Sequence, residues 1–151
     1  FYDVQEFISR INQRIGLDLT LPSEAQWEYA CRAGTGSPTY ARPGEGLSAI
    51  AWFKDNSGGT TRPVKGKRPN DRGLHDMLGN VWEWCADAWQ SNHAAADPHG
   101  APYAGGHEYR VLRGGSWNFV ARRIRAACRS ASDPAYRGAH IGFRCARLQA
   151  A

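Results

Sequence analysis

Two carboxylates, four thiols and a crowd of guanidinium groups are the side chains in this sequence best placed to do chemistry. Asp76 and Glu83 lie on either side of a Gly79-Asn80 turn within the stretch GLHDMLGNVWEW, residues 73–84. Such a pair has plain structural uses, with Asp76 capping a turn and Glu83 pairing with a buried Arg. The cysteines stand at 31, 85, 128 and 145 and form no Cys-x-x-Cys pair, which argues against a zinc site. They suit buried small hydrophobes, with room for one disulfide. Arginine is densest in RVLRGGSWNFVARRIRAACRSASDPAYRGAHIGFRCAR, residues 110–147, where aliphatic side chains are few. That stretch has a strand-like entry at Val111 and Leu112, a Gly114-Gly115 break, a run of short mixed side chains and a strand-like exit at 141–144. It is irregular surface anchored at both ends, the usual setting of binding residues.

These groups must be positioned by elements that the patterning reveals. Val4, Phe7, Ile8, Ile11 and Ile15 recur at helical spacing over 3–15, and Gly16 supplies the stop. Leu17, Leu19 and Leu21 alternate with polar residues as a short extended segment. Pro22 and Ser23 then open a second helix, with Gln26 at capping-box distance from Ser23 and Gly34 as its end. From 35 to 72 the chain is loop, with one strand-like stretch at 50–53. So long a loop must be pinned, by aromatic anchors or an ion. Its basic cluster (Arg62, Lys65, Lys67, Arg68, Arg72) suits a solvated face. Nucleic-acid binding there would fall steeply with salt. In a strand, Trp82 and Trp84 share one face and Glu83 takes the other. Residues 86–109 show no periodicity.

The 151 residues suit one domain, large enough to bury a core. Seventeen Gly, eight Pro and six Trp indicate a loop-rich fold resting on aromatic anchors. No apolar run has the length of a membrane span. The net charge of +5 would suit an anionic partner, but the arginines are scattered among apolar and Gly positions, which speaks against nucleic acid.

The phrases LPSEAQWEYACRAG, GLHDMLGNVWEWCAD, RVLRGGSW and IGFRCAR, in that order, resemble the formylglycine-generating enzyme, or sulfatase-modifying factor, family. The resemblance implies a C-type-lectin-like α+β fold: two helices packed on small antiparallel sheets, much of it loop, as one domain over 1–151. Phe1 to Phe7 resemble a segment well inside that domain, so its N-terminal part is expected upstream. The oxidising members follow GGSW with two cysteines that hold copper(I), as soft thiolates do. Here no cysteine stands between Trp117 and Cys128. The resemblance therefore implies a domain without that catalysis; the alternative is an oxidase-like or enzyme-associated domain whose active site is lost or displaced. It also implies that Cys31 and Cys145 are adjacent, bonded only in an oxidising compartment. A structural calcium is implied too, held by Asp76 and Glu83 with the backbone carbonyls of Gly79 and Val81. No other cofactor is expected.

The C-terminal stretch is similar to a narrower group, the variable proteins of diversity-generating retroelements. In these, adenines of Asn codons are mutated at fixed slots. Matched residue by residue, the slots are Asn118, Phe119, Val120, Arg123, Ser130, Ala131, Ser132, Asp133, Tyr136, Gly138, Ala139 and His140, with Ala135 borderline. Ala121, Arg122, Ile124, Arg125, Arg129, Pro134, Arg137 and Ile141 are the framework between them. Changing only the two adenines of an Asn codon never yields Lys, Glu, Gln, Met or Trp, and none of these occurs from Asn118 to Arg147. The resemblance implies a ligand-binding region over about 114–144 for a protein or other macromolecule. Trp117, Ile124, Ile141 and Phe143 are its expected anchors. It further implies a bacterial or phage-related source, with the protein cytoplasmic or attached to the cell surface through an upstream segment.

Overall fold

A computed structural model describes residues 1–93, 97–106 and 108–147. Helix α1, Tyr2–Ile15, ends where Gly16 turns left-handed at φ 65°. Strand β1, Leu19–Thr20, leads into helix α2, Glu24–Arg32. The capping box is present: Ser23 Oγ accepts from the Gln26 N–H, and Gln26 accepts from the Ser23 N–H. The helix ends one residue before Gly34, at Ala33 with φ 49°.

The remaining strands are β2 (Trp82–Ala88), β3 (Arg110–Arg113), β4 (Arg129–Ser132), β5 (Ile141–Gly142) and β6 (Ala146–Arg147). One sheet has the order β4-β3-β2-β5 and the other pairs β1 with β6. The pairings are antiparallel except β2 with β5, which is parallel, so the larger sheet is mixed. Residues 50–53 do not form a strand; Trp52 makes a single bridge to Gly79. Conversely β2 runs to Ala88, three residues into the stretch where the sequence shows no periodicity.

Alternation along β2 and β3 builds two cores, one on each sheet face. Trp82, Trp84 and Leu112 join Phe1, Ile8, Leu21 and Cys128 beneath α1. Cys85 and Val111 point the other way, to Trp27, Cys31, Ile50, Met77, Leu78 and Ile124 beneath α2. As the spacing predicts, Glu83 sits opposite the two Trp and accepts from Trp27 Nε1 at 2.7 Å. The stripe on α1 is only partly covered: Ile8 is buried, but Phe7 and Ile15 are each 48% exposed.

The long loop is pinned by aromatic stacking and ion pairs. The Lys67 ammonium lies 3.7 Å from the centre of the Trp52 ring, which Arg62 also approaches, and Arg72 stacks on Tyr29. Arg68 pairs with Glu45. Most of the basic cluster is thus engaged within the molecule and does not form a free cationic strip.

Candidate functional site

The C-terminal excursion leaves β3 through Gly114 and Gly115, both left-handed (φ 94° and 79°). Both are also crowded, Gly114 by the Met77 carbonyl and Gly115 by the Ile124 side chain, so a side chain at either would be strained twice over. The Trp117 N–H donates to the Asn80 carbonyl at 2.8 Å, and Ser57 Oγ donates to the Trp117 carbonyl. A single 3-10 turn, Ala121–Arg123, presents its side chains to solvent. Ile124, Ala126 and Cys128 then plug into the two cores.

The run beyond is less irregular than its composition suggests. Residues 129–132 form β4 and pair with β3 through the backbone, so Ser130, Ala131 and Ser132 lie on a strand. A turn follows in which Asp133 Oδ1 accepts from the Ala135 N–H at 2.7 Å. The chain returns through His140, whose carbonyl accepts from the Trp82 N–H, into β5.

None of the twelve expected slots is buried. Asn118, Val120, Arg123, Asp133, Tyr136 and Ala139 are exposed; Phe119, Ser130, Ala131, Ser132, Gly138 and His140 are half-buried. The tertiary ties fall on residues between them. Arg129 makes a two-point ion pair with Glu24, at 2.6 and 2.7 Å. Arg137 makes another with Asp3, and Pro134 accepts from the N-terminal ammonium of Phe1. Arg144 closes the excursion on Glu83 at 2.6 and 2.7 Å. Gly138 illustrates the contrast with Gly114. A Cβ there would meet the ends of Tyr136 and His140, at 2.8 and 2.9 Å, and these are slots themselves.

Phe119 departs from the pattern. It is packed against both cores and stands edge-on to Trp82, ring centres 5.2 Å apart. The apolar ring finds space between the sheet and the turn that a polar slot would leave to water. Phe119→Ala should therefore lower stability by about 1–3 kcal/mol, whereas Tyr136→Ala should leave the melting temperature unchanged. Equal effects in a thermal melt would remove the distinction. Among the expected anchors only Ile124 is fully buried, while Trp117 and Ile141 are half-buried and Phe143 is 36% exposed, edge-on to Phe7.

The carboxylate pair divides. Glu83 is occupied by Arg144 and Trp27, the structural use open to it from the start. Asp76 is buried in a left-handed conformation, φ 55°. Its Oδ2 accepts from the Lys65 N–H, and Oδ1 has no hydrogen-bond partner among the described residues. Asp76, Val81, Glu83 and Arg144 line one cavity of about 370 Å³. No group of three or more His, Cys, Asp or Glu is placed to hold a metal among the described residues. Glu83 already accepts from Arg144 and Trp27, whereas Asp76 Oδ1 is open to an ion.

All four cysteines are free thiols. Cys145 is exposed and opens on a hollow lined by Trp27, Ala30 and Met77, while Cys31 is buried with its Sγ 4.0 Å from the Met77 carbonyl. Both therefore border Met77, but no bond joins them. Burial pushes the Cys31 thiol up to about 12 and raises Cys145 as well. A thiol reagent at neutral pH should label Cys145 alone in the native protein and all four cysteines in urea; fast native labelling of a second would contradict this burial.

Sequence reasoning missed the ties to Glu24, and for Glu83 it offered a buried Arg without saying which. A buried carboxylate demands a cation, but nothing in the sequence says which of many arginines answers.

Comparison with known proteins bears on this surface. Residues 1–149 match the family model of the sulfatase-modifying factor enzyme 1-like domain. The formylglycine-generating enzyme of Streptomyces coelicolor is 38% identical over 146 residues, covering 83% of this chain and 46% of that protein. The structure of PvdO from Pseudomonas aeruginosa superposes with a TM-score of 0.92 at 31% identity, over 99% of this chain and 60% of that one. Variable protein 1 of Treponema denticola superposes with a TM-score of 0.78 at 39% identity, over 84% of this chain and 46% of that one. The chain thus spans about half the length of these relatives.

Proposed function

We propose that this chain, which belongs to the sulfatase-modifying factor enzyme 1-like domain family, is a non-catalytic ligand-binding domain with a diversified C-terminal surface. Residues 118–140 are its contact face for a protein or other macromolecule. One observation carries the reading. None of the slots is buried and, Phe119 apart, the ion pairs and core contacts that hold the excursion come from other residues. Where slots bond to the rest of the fold, as in β4 and at His140, they do so through backbone groups that any residue supplies. Similarity to the Treponema variable protein supports it.

The test is the gene and the DNA downstream. An adenine-rich near-copy of the region encoding 114–144, beside a reverse transcriptase, is the expected finding. Slot codons that end freely in purines, with no such copy, would defeat diversification.

A second reading, an oxidase of the formylglycine-generating kind, is favoured by identity to those enzymes. Against it, Cys128 is the first cysteine after Trp117 and its side chain lies in the core beneath α1. Copper-supplied protein should leave a cysteine-bearing peptide unoxidised, and turnover would reinstate the enzyme.

Calcium belongs with these proposals. Asp76 Oδ1 with the Gly79 and Val81 carbonyls would hold it, and Glu83 would join only by releasing Arg144. Oxygen donors of this kind suit calcium. Saturating calcium should raise the melting temperature of chelator-treated protein by about 5 °C. An identical melt in calcium and chelator would leave Asp76 as an internal pin of the loop.

A further inference from the structure

From Gly114 to Arg147 the chain carries seven Arg, no Lys, no Glu and a single Asp. Three of these guanidinium groups hold the fold, Arg129 on Glu24, Arg137 on Asp3 and Arg144 on Glu83. Arg122, Arg123 and Arg125 do not. All three are exposed, and none is in an ion pair among the described residues. They are three of the four consecutive residues 122–125, around Ile124, whose burial fixes the backbone beneath them. Lys54 adds a fourth exposed cation: its N–H donates to the Phe119 carbonyl at 3.0 Å, which brings that loop alongside. Asp55 is the acidic residue next to it in the chain.

An arginine kept in a framework ought to have a structural partner, as Arg129, Arg137 and Arg144 have. Arg122 and Arg125 lie between slots yet hold nothing in this fold. Unpaired like charges on one turn repel one another and are costly unless something outside answers them. Val120, 38% exposed, adjoins them in the chain, and Tyr136, 47% exposed, lies further along the same excursion. Exposed Arg and Tyr are the residue types enriched in protein-binding hot spots. The basic loop that would extend the patch into a track for nucleic acid is instead engaged with Trp52, Glu45 and Tyr29.

We propose that Arg122 and Arg125, with Lys54 alongside, form a constant cationic rim that selects acidic protein surfaces whatever the slots contain; Arg123, itself a slot, adds to it in this chain. The inference rests on the ligand-binding reading and names its partner class. The rim supplies encounter rate and orientation through charge, and the slots supply discrimination at short range.

The test uses the full-length protein and fluorescent poly-L-glutamate, with duplex DNA of matched charge alongside. Wild type should bind polyglutamate in a salt-sensitive manner, and Arg122→Ala/Arg125→Ala should weaken this by at least about tenfold. Melting should be unchanged, because both side chains are free. An Arg10→Ala/Arg14→Ala variant, which removes the same charge from exposed positions of α1, should bind polyglutamate as wild type does. Binding that survives loss of both arginines, no binding at all, or tighter binding of the DNA would each overturn the rim. None of those results touches diversification, which is decided by the gene.

Discussion

Glu24→Ala should bring the protein close to unfolding, with a loss of about 3–5 kcal/mol read from the urea midpoint. The carboxylate is 6% exposed, and its Oε1 accepts from Arg113 Nη1 at 2.9 Å and from Arg129 Nε at 2.6 Å. Arg113 is wholly buried, stacked 5.2 Å from the Trp27 ring centre, with its Nε already without a partner. Without Glu24 it keeps Glu28 and the Ala126 carbonyl, and Arg129 keeps only its stacking on the Trp89 ring. A buried charge stripped of its partner is the costly case, far more than the pair was worth as a bond. The control is Asp3→Ala, which breaks the Arg137 pair in solvent, with side chains 61% and 79% exposed. Its midpoint should barely move. Similar losses in both variants would mean that burial of the Glu24 network contributes nothing special.

Gly79→Ala should be comparably damaging, at about 3 kcal/mol or more. Gly79 has φ 76°, where a Cβ is already strained, and that Cβ would run into the carbonyl oxygen of Trp52. The obstacle is backbone, held by the Asn80 N–H donating to the same oxygen at 2.8 Å, so nothing can yield cheaply. Gly138→Ala is the contrast, because the atoms in its way are the ends of Tyr136 and His140. Its effect should stay within about 0.5 kcal/mol. If both substitutions are tolerated in thermal and urea melts, the close approach of the two loops is not what holds the turn.

Much of the scaffold was legible because it is local. The spacing on α1, the Ser23-Gln26 box and the alternation of Trp82, Glu83 and Trp84 are decided within a few residues. What stayed hidden depends on distant partners. Arg-Ser-Ala-Ser has little strand character and becomes β4 because the edge of β3 is available. The parallel pairing of β5 follows from where the excursion lands, not from Ile141 and Gly142 themselves. Phe119 belongs to a slot by register and to the core by packing, and only three-dimensional neighbours tell these apart. Trp117 and Phe143 look like anchors by residue type, but the surface around them leaves both partly open. Glu83 and Arg144, sixty-one positions apart, show the same limit.

The bond between Arg129 and Glu24 falls midway between Gly114, where the excursion begins, and Arg144, where it ends. One long loop is thereby turned into two short ones, each tethered at both ends. Most of the chain entropy that an open loop would surrender on meeting a partner has been surrendered on folding. Variants that differ only at slots should then associate at nearly the same rate, and their affinities should diverge in how long each complex survives.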